Sequence, residues 1–173
     1  YLGENKVWVY DFEKKNYKKI IRIGYKTDGL KDHTYPLLAW HPNSEILSVI
    51  TEKKDQLWLN YYFLETKKME SRPLHHFQKI LDFSYSDDGK KFVFSAIKNG
   101  QTDIFVYHIA KNTFENLTDD LYDDHTPQFI NGDRDIIFSS NRVSDTLASF
   151  KKIQDEFPIK IARTNDLFIL KYS

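Results

Sequence analysis

A strand–turn–strand pattern recurs along the chain, and this repeat constrains the fold more than any other feature of the sequence. The pattern occurs in LLAWHPNSEILSVIT (37–51), LDFSYSDDGKKFVFS (81–95) and TPQFINGDRDIIFSS (126–140). The apolar anchors that follow the three turns are 45 and then 44 residues apart, at Val49, Phe94 and Phe138. A period of this length is typical of a repeat that forms one small sheet.

A further strand recurs between these segments, in KVWVYDF, QLWLNYY, DIFVYHI and DLFILKY, which begin at Lys6, Gln56, Asp103 and Asp166. Aromatic and aliphatic residues alternate in these segments, as they do in half-buried strands. The turns contain residues that tolerate positive φ, namely Asp88-Gly89, Asn99-Gly100, Asn131-Gly132 and Lys111-Asn112-Thr113. Each complete repeat therefore predicts four antiparallel strands.

Repeated four-stranded sheets bury their faces only against neighbouring sheets, and their radial stacking forms a β-propeller. We predict an all-β fold with about three to four blades: the end of a first blade at 6–22, and further blades at 37–74, 79–118 and 126–173. Because the sequence starts in mid-blade and without Met, we expect these blades to be part of a larger ring. A four-blade ring closed by the N-terminal strands and closure by dimerisation are the alternatives.

Two segments carry a resemblance to a known family. FSYSDDGKKFVFS, followed by TDIFVYHI and ENLTDD, resembles the TolB-type propeller repeat, and DDHTPQFINGDRDIIFSSNR matches it through Pro127, Phe138, Ser139 and Arg142. The sequence departs from the family pattern at Asp87, where Pro is favoured, and at Ser44, which replaces the turn Gly. A WD-repeat propeller is less favoured, because the sequence contains neither a Gly-His nor a Trp-Asp dipeptide.

The resemblance implies a non-enzymatic protein-interaction scaffold of the bacterial cell envelope, periplasmic or associated with the outer membrane. The partners that it implies are envelope proteins, such as a peptidoglycan-associated lipoprotein or an outer-membrane complex. The sequence has no Gly-x-Ser-x-Gly motif of a serine hydrolase. Propellers of this kind also occur in prolyl-oligopeptidase-type serine peptidases. The alternative is therefore an accessory propeller whose catalytic domain lies outside these residues.

An insertion lengthens the last blade, because the third-strand anchors Ile104 and Leu167 are 63 residues apart. The excess falls in 144–165, where apolar residues recur every three or four positions, at Leu147, Phe150, Ile153 and Phe157. This spacing predicts a short amphipathic helix that ends before Pro158. The apolar stripe could pack on its own blade or bind a partner protein. We expect the four apolar residues to be the partner-binding set if the insertion is a docking element.

Several histidines precede the first strand of a predicted blade, which is the strand nearest the central channel of a propeller. The loops that lead into these strands surround the mouth of the channel. We predict His33, His76, His125 and Asp124 as channel-mouth residues. Their offsets from the strands are unequal and their spacing is not that of zinc ligands, so the sequence predicts no metal site and no cofactor. The acidic run at 119–124 lacks the alternating ligands of a calcium loop, and we expect a solvated loop there.

The charge balance excludes some classes of partner. The chain has 25 basic and 25 acidic residues, a net charge of zero, so no general attraction to nucleic acid or to an anionic membrane follows. No apolar run approaches the roughly 20 residues of a membrane-spanning helix, so we predict no direct membrane span. The absence of cysteine excludes disulfides and thiolate chemistry.

Overall fold

The computed structural model describes residues 4–24, 34–143 and 162–172. Over these residues the chain forms thirteen strands: β1 (Glu4–Asp11), β2 (Asn16–Gly24), β3 (Leu37–Trp40), β4 (Ile46–Lys53), β5 (Gln56–Phe63), β6 (Met69–Pro73), β7 (Lys79–Tyr85), β8 (Lys91–Lys98), β9 (Gln101–His108), β10 (Thr113–Asn116), β11 (Asp124–Ile130), β12 (Asp135–Ser140) and β13 (Asp166–Lys171). None of the described residues lies in a helix, so none belongs to a helix that could cross a membrane.

The strands form four separate sheets. Sheet A contains β1 and β2, sheet B contains β3 to β6, sheet C contains β7 to β10, and sheet D contains β11 to β13. Strands that are adjacent in the sequence are hydrogen-bonded neighbours in every sheet, which is an up-and-down arrangement. The predicted all-β class with four-stranded antiparallel sheets is confirmed, and sheets A and D are present in part.

The chain divides into two compact units. The first contains the described parts of 1–38 together with 45–75, and the second contains 39–44 with the described parts of 76–173. Sheet A and most of sheet B belong to the first unit, whereas sheets C and D belong to the second. Each unit has an apolar core of its own.

The first core lies between sheets A and B. Alternation along β1 places Val7 and Val9 against Leu47 and Val49 of β4. The intervening Trp8 is on the other face of β1 and is 49% exposed. Sheet A therefore has one face buried by its neighbour and an aromatic face that is half exposed.

The second core lies between sheets C and D. Val93, Ile104 and Val106 of sheet C form one cluster with Ile136 and Phe138 of sheet D, and each is at most 2% exposed. Burial of each large apolar side chain contributes about 1.5–3 kcal/mol to stability. This layer therefore supplies most of the attraction between the two sheets.

Hydrogen bonds also connect sheets C and D, at the edges of this apolar layer. The Asp133 carboxylate in the β11–β12 turn accepts hydrogen bonds from the backbone N–H groups of Asp87 (2.7 Å) and Asp88 (3.2 Å) in the β7–β8 turn. The buried Ser95 hydroxyl donates to the backbone carbonyl of Asp124 at 2.7 Å. These bonds are directional, so they fix the register between two sheets whose apolar contacts alone would allow sliding.

The turns have the backbone geometry that the sequence predicted. Positive φ angles are found at Gly89, Asn99, Gly100, Asn112, Asn131 and Gly132. Ser44, which stands where the repeat otherwise has Gly, also adopts a positive φ of 59°. Its backbone N–H donates to the carbonyl of His41 at 2.8 Å, so the turn closes in the left-handed conformation without Gly.

Gly89 is needed for a second reason besides its φ of 69°. A Cβ atom at this position would overlap the imidazole ring of His41. That ring is held in place, because its Nδ1 is 2.7 Å from Oδ1 of Asn43 and its edge packs on Tyr85 with centroids 4.9 Å apart. Moving the ring would break both contacts.

Gly89→Ala should destabilise the protein more than Gly132→Ala. Both glycines have nearly the same φ, 69° and 65°, so both variants carry the strain of a left-handed alanine, about 1–2 kcal/mol. Open space surrounds Gly132, whereas Gly89 abuts His41. We expect an additional loss of about 1 kcal/mol for Gly89→Ala, since a side-chain hydrogen bond is lost. Urea unfolding of the two variants measures the difference.

The double variant Gly89→Ala/His41→Ala separates the two causes. Removing the ring should abolish the additional loss relative to His41→Ala alone, leaving only the backbone strain. Equal destabilisation by Gly89→Ala and Gly132→Ala would show that His41 moves away without cost.

Candidate functional site

A buried polar group is centred on Arg142, whose side chain is 1% exposed. Its Nη2 donates to both carboxylate oxygens of Asp124, at 2.9 and 2.7 Å. Its Nε donates to the Ser140 hydroxyl at 2.9 Å. Its Nη1 lies 3.1 Å from Oδ2 of Asp120, at ion-pair distance but without the alignment of a hydrogen bond. We call Asp103, Asp120, Asp124 and Arg142 the Arg142 cluster.

Four segments of the chain bring the cluster together. Asp124 is the first residue of β11 and pairs with Ser140, the last residue of β12. Arg142 follows β12 by two residues, so its side chain can fold back over that pair. Asp120 lies in the connection from β10 to β11, and Asp103 lies on β9 of sheet C. The cluster therefore joins sheets C and D at the connection between them.

Aromatic rings complete the environment of the guanidinium. Its central carbon lies 5.5 Å from the ring centre of Tyr122, 5.3 Å from that of Phe138 and 5.6 Å from that of Phe168. A planar, weakly hydrated guanidinium is suited to such a site, where it can face rings and bind carboxylates at once.

The cluster holds more acidic than basic groups. Oxygens of the carboxyl groups of Asp103, Asp120 and Asp124 lie within 4.8 Å of one another, and all three residues are buried. Arg142 supplies one positive charge against them. Among the described residues, Oδ1 of Asp103 has no hydrogen-bond partner. An excess of buried negative charge is unfavourable, so a proton on one carboxyl group is expected.

Asp103 is the group that holds this proton. Burial, together with the nearby charges of Asp120 and Asp119, raises the pKa of Asp103 to about 7, against the lowering effects of the Asn116 amide and the Asp120 backbone N–H. Burial also raises the pKa of Asp120, but the Tyr122 backbone N–H and Arg142 oppose the shift. Arg142 thus limits the rise in the pKa of Asp120, whereas no cation is among the causes of the shift at Asp103.

The chemistry that this arrangement supports is structural pairing rather than turnover. Arg142 occupies both oxygens of Asp124, so a metal ion bound by all three carboxyl groups would have to displace a buried guanidinium. The cluster is also more than nine-tenths buried at each member, which leaves no open position for a substrate. Its evident role is to fix the β10–β11 connection to the end of β12.

The predicted site residues lie in different environments. His33 and the apolar set Leu147, Phe150, Ile153 and Phe157 are outside the described residues, as is most of the predicted insertion 144–165. The His76 ring packs against Phe114 of β10, with centroids 5.5 Å apart. His125 is partly buried in β11. Asp124 is fully buried and belongs to the Arg142 cluster. Their roles as binding residues stay predictions.

The acidic run 119–124 is not the solvated loop that the sequence suggested. Asp120 and Asp124 are 2% and 0% exposed, because Arg142 pairs with both. Sequence reasoning used Arg142 only as a family match and did not single out Asp103. One signal was available for Asp103, since a carboxylate that interrupts the apolar strand TDIFVYH needs a partner if that strand is central.

Two of the solved structures that are similar to this chain are described as TolB. TolB from Acinetobacter baumannii has a TM-score of 0.60 at 18% identity, over 80% of this chain and 32% of that one. A protein assigned as TolB from Agrobacterium tumefaciens also has a TM-score of 0.60, at 14% identity, over 90% of this chain and 48% of that one. The chain has the β-propeller fold of TolB. It spans about a third to a half of these TolB-fold chains.

The chain is also similar to part of a protein assigned as a peptidase. A protein assigned as dipeptidyl aminopeptidase IV from Bacteroides ovatus has a TM-score of 0.54 at 15% identity, over 78% of this chain and 22% of that one. Identities this low establish the fold and leave the activity open. No protein-family model and no curated protein sequence matches the chain.

Arg142→Met should cost about 3–5 kcal/mol, the usual effect of removing one partner of a buried ion pair. The variant keeps the approximate length of the side chain but leaves the carboxylates of Asp120 and Asp124 buried without their cation. Urea unfolding monitored by tryptophan fluorescence measures the loss. The matched control is Arg134→Met, because Arg134 is exposed and donates only to the carbonyl of Asn131. A loss as small as that of the control would contradict the proposed role.

Asp103→Asn should reduce the pH dependence of stability between about pH 4 and 7. The pKa of Asp103 is about 7 in the folded chain against an ordinary 3.8, so the folded state binds this proton more tightly. The stabilisation is complete below the ordinary value. It is lost as the pH rises, at up to about 1.4 kcal/mol per unit, until the folded pKa is passed.

Urea titrations at several pH values measure the free energy of unfolding of both proteins. The advantage of the Asn variant over the original chain should grow from about pH 4 to 7 and then stay constant. Asp123→Asn, which alters an exposed carboxylate of the same run, is the matched control. Parallel curves for Asp103→Asn would show that Asp103 holds no proton.

Proposed function

We propose that this chain acts as a non-enzymatic protein-interaction scaffold of the bacterial cell envelope, in the periplasm or at the outer membrane. The observation that carries the proposal is the structural likeness to two TolB-fold proteins over 80% and 90% of the chain. The proposed partner is an envelope protein, with a peptidoglycan-associated lipoprotein or an outer-membrane complex as the first candidates.

The packing of the described sheets suits a scaffold. Hydroxyl groups that could serve as nucleophiles are used to join sheets: Ser84 donates to the carbonyl of Pro127 at 3.1 Å, and Ser95 to that of Asp124 at 2.7 Å. With the apolar layer and the Arg142 cluster, these bonds make sheets C and D a rigid support. Loops on a rigid support lose little conformational entropy when they bind a partner.

The insertion supplies the proposed contact residues, Leu147, Phe150, Ile153 and Phe157. An apolar stripe of this kind can fill a groove on a partner. The proposal needs these side chains to face outward. If they cover their own blade instead, the stripe serves packing, and His33, His76 and His125 of the predicted channel-mouth set become the next candidates, because Asp124 is fully buried.

Binding to a purified peptidoglycan-associated lipoprotein from the same bacterium tests the proposal. Isothermal titration of the full-length protein should give saturable binding with a Kd on the order of 10 μM or tighter, the range of a specific if transient complex. Replacing the four apolar insertion residues with Ser should weaken binding at least tenfold. Phe12→Ser removes a side chain that is 85% exposed elsewhere and should leave binding unchanged.

The results separate three cases. Loss of binding in the quadruple variant, with an unchanged unfolding midpoint, supports docking through the insertion. Equal binding by all variants would show that the partner binds outside the insertion, and the scaffold role would still be supported. Absence of binding to the lipoprotein and to outer-membrane complexes would contradict the scaffold.

An accessory propeller of a serine peptidase is the second candidate, favoured by the likeness to the Bacteroides ovatus protein. In that case the catalytic residues belong to a separate domain of the full-length protein. A fluorophosphonate probe, which labels activated serines, would label the full-length protein if this candidate is right. The scaffold proposal expects no labelling.

A further inference from the structure

A cavity of about 330 Å³ opens beside β10, the edge strand of sheet C. Every residue that lines it lies between 76 and 116, within the second unit. Its volume is at the lower end of the range for small-molecule sites. Apart from His76, its lining residues take no part in the proposed scaffold role.

The floor of the cavity is aromatic. The rings of Phe105 and Phe114 both lie 4.8 Å from that of Phe77, and both pairs are edge-on. Phe114 also stacks on Tyr107 at 4.5 Å. Phe77 and Phe105 are 8% and 2% exposed, so the partly exposed ring of Phe114, which packs on Phe77 and Tyr107, is the apolar surface that can accept a flat ring or a short hydrocarbon group.

The rim of the cavity offers hydrogen-bond donors. The Tyr107 hydroxyl donates to Oδ1 of Asn112 at 2.7 Å, which leaves the amide N–H groups of Asn112 to point elsewhere. No hydrogen bond or ion pair within the described part of the chain engages the Lys98 ammonium or the Thr113 hydroxyl. The described lining residues include no Asp or Glu. A ligand that enters should therefore carry acceptors.

One wall of the cavity is fixed by the Arg142 cluster. The Asn116 amide lines the cavity and donates to Oδ2 of Asp103 and to Oδ1 of Asp119, both at 3.3 Å. These two bonds hold the amide in one orientation. The wall is therefore preformed, which lowers the entropic cost of binding.

We propose that this cavity binds a small monocarboxylate that carries a flat ring or a short apolar body. The body would lie on the partly exposed ring of Phe114, and the carboxylate would meet Lys98. Lys98 is the only permanent cation among the described lining residues, so a single negative charge is matched and a doubly charged phosphate is not.

The test uses the full-length protein and four probes, with binding followed by ¹H–¹⁵N NMR shifts. The probes are 3-phenylpropionate, the neutral 3-phenylpropanol, the ring-free propionate and phenyl phosphate. We expect saturable binding of 3-phenylpropionate in the millimolar range or tighter, with shifts at Lys98, Asn112 and Thr113. The alcohol and propionate should each bind at least fivefold more weakly, because one lacks the charge and the other the ring.

Two lysine variants check the position of the carboxylate. Lys98→Gln should raise the Kd of 3-phenylpropionate at least fivefold, whereas Lys111→Gln should change this Kd less than twofold. Lys111 is an exposed residue of the neighbouring turn, so both variants alter the net charge equally. Both positions are exposed, and the unfolding midpoints should match that of the original chain.

Several results would overturn the proposal. These are no saturable binding up to about 10 mM, equal binding of the acid and the alcohol, shifts confined to residues away from the cavity, and equal effects of the two lysine variants. Tighter binding of phenyl phosphate than of 3-phenylpropionate would overturn the choice of a monocarboxylate.

Discussion

The structure depends on face-to-face packing of sheets that are too small to bury themselves. A four-stranded sheet has two faces, and in sheet C one face carries Val93, Ile104 and Val106. Their burial against Ile136 and Phe138 of sheet D provides a large but non-directional attraction. Polar groups at the edges, such as the Asp133 carboxylate, then select one alignment of the two sheets. Attraction and alignment are thus supplied by different residues.

The Arg142 cluster aligns the two sheets at a high cost in desolvation free energy. Removing a guanidinium and three carboxyl groups from water costs several kcal/mol per ion, and a well-packed apolar group can be as stable. The ion pair adds specificity, because any arrangement in which Arg142 does not contact Asp124 would leave buried charges unpaired. The connection from β10 to β11 is thereby given a defined path. Burial of Asp103 there, with the nearby charges of Asp120 and Asp119 as smaller causes, raises the pKa of that carboxyl group.

The sequence predicted the strands and turns well, because these follow from local patterns. Alternation in DIFVYHI predicts a strand wherever it lies, and Gly89 or Asn131 predicts a turn through its φ preference. The Arg142 cluster depends on residues up to 39 positions apart, from Asp103 to Arg142, which a local pattern does not connect. The burial of Asp120 and Asp124 was missed for this reason: an acidic run resembles a solvated loop until its cation is known. The cavity beside β10 was also missed, since Phe77 and Phe105 look like ordinary core residues.

The Asp133 contact has a further consequence for how the second unit comes apart. Hairpin tips are usually where a sheet frays first, because little holds them beyond the turn itself. Here the tip of the β7–β8 hairpin is held by a carboxylate of the following sheet. Loss of sheet D would therefore release both the apolar face of sheet C and the tip of its first hairpin. The smallest cooperative element of this part of the chain is thus a pair of sheets, and a single repeat is only half of it.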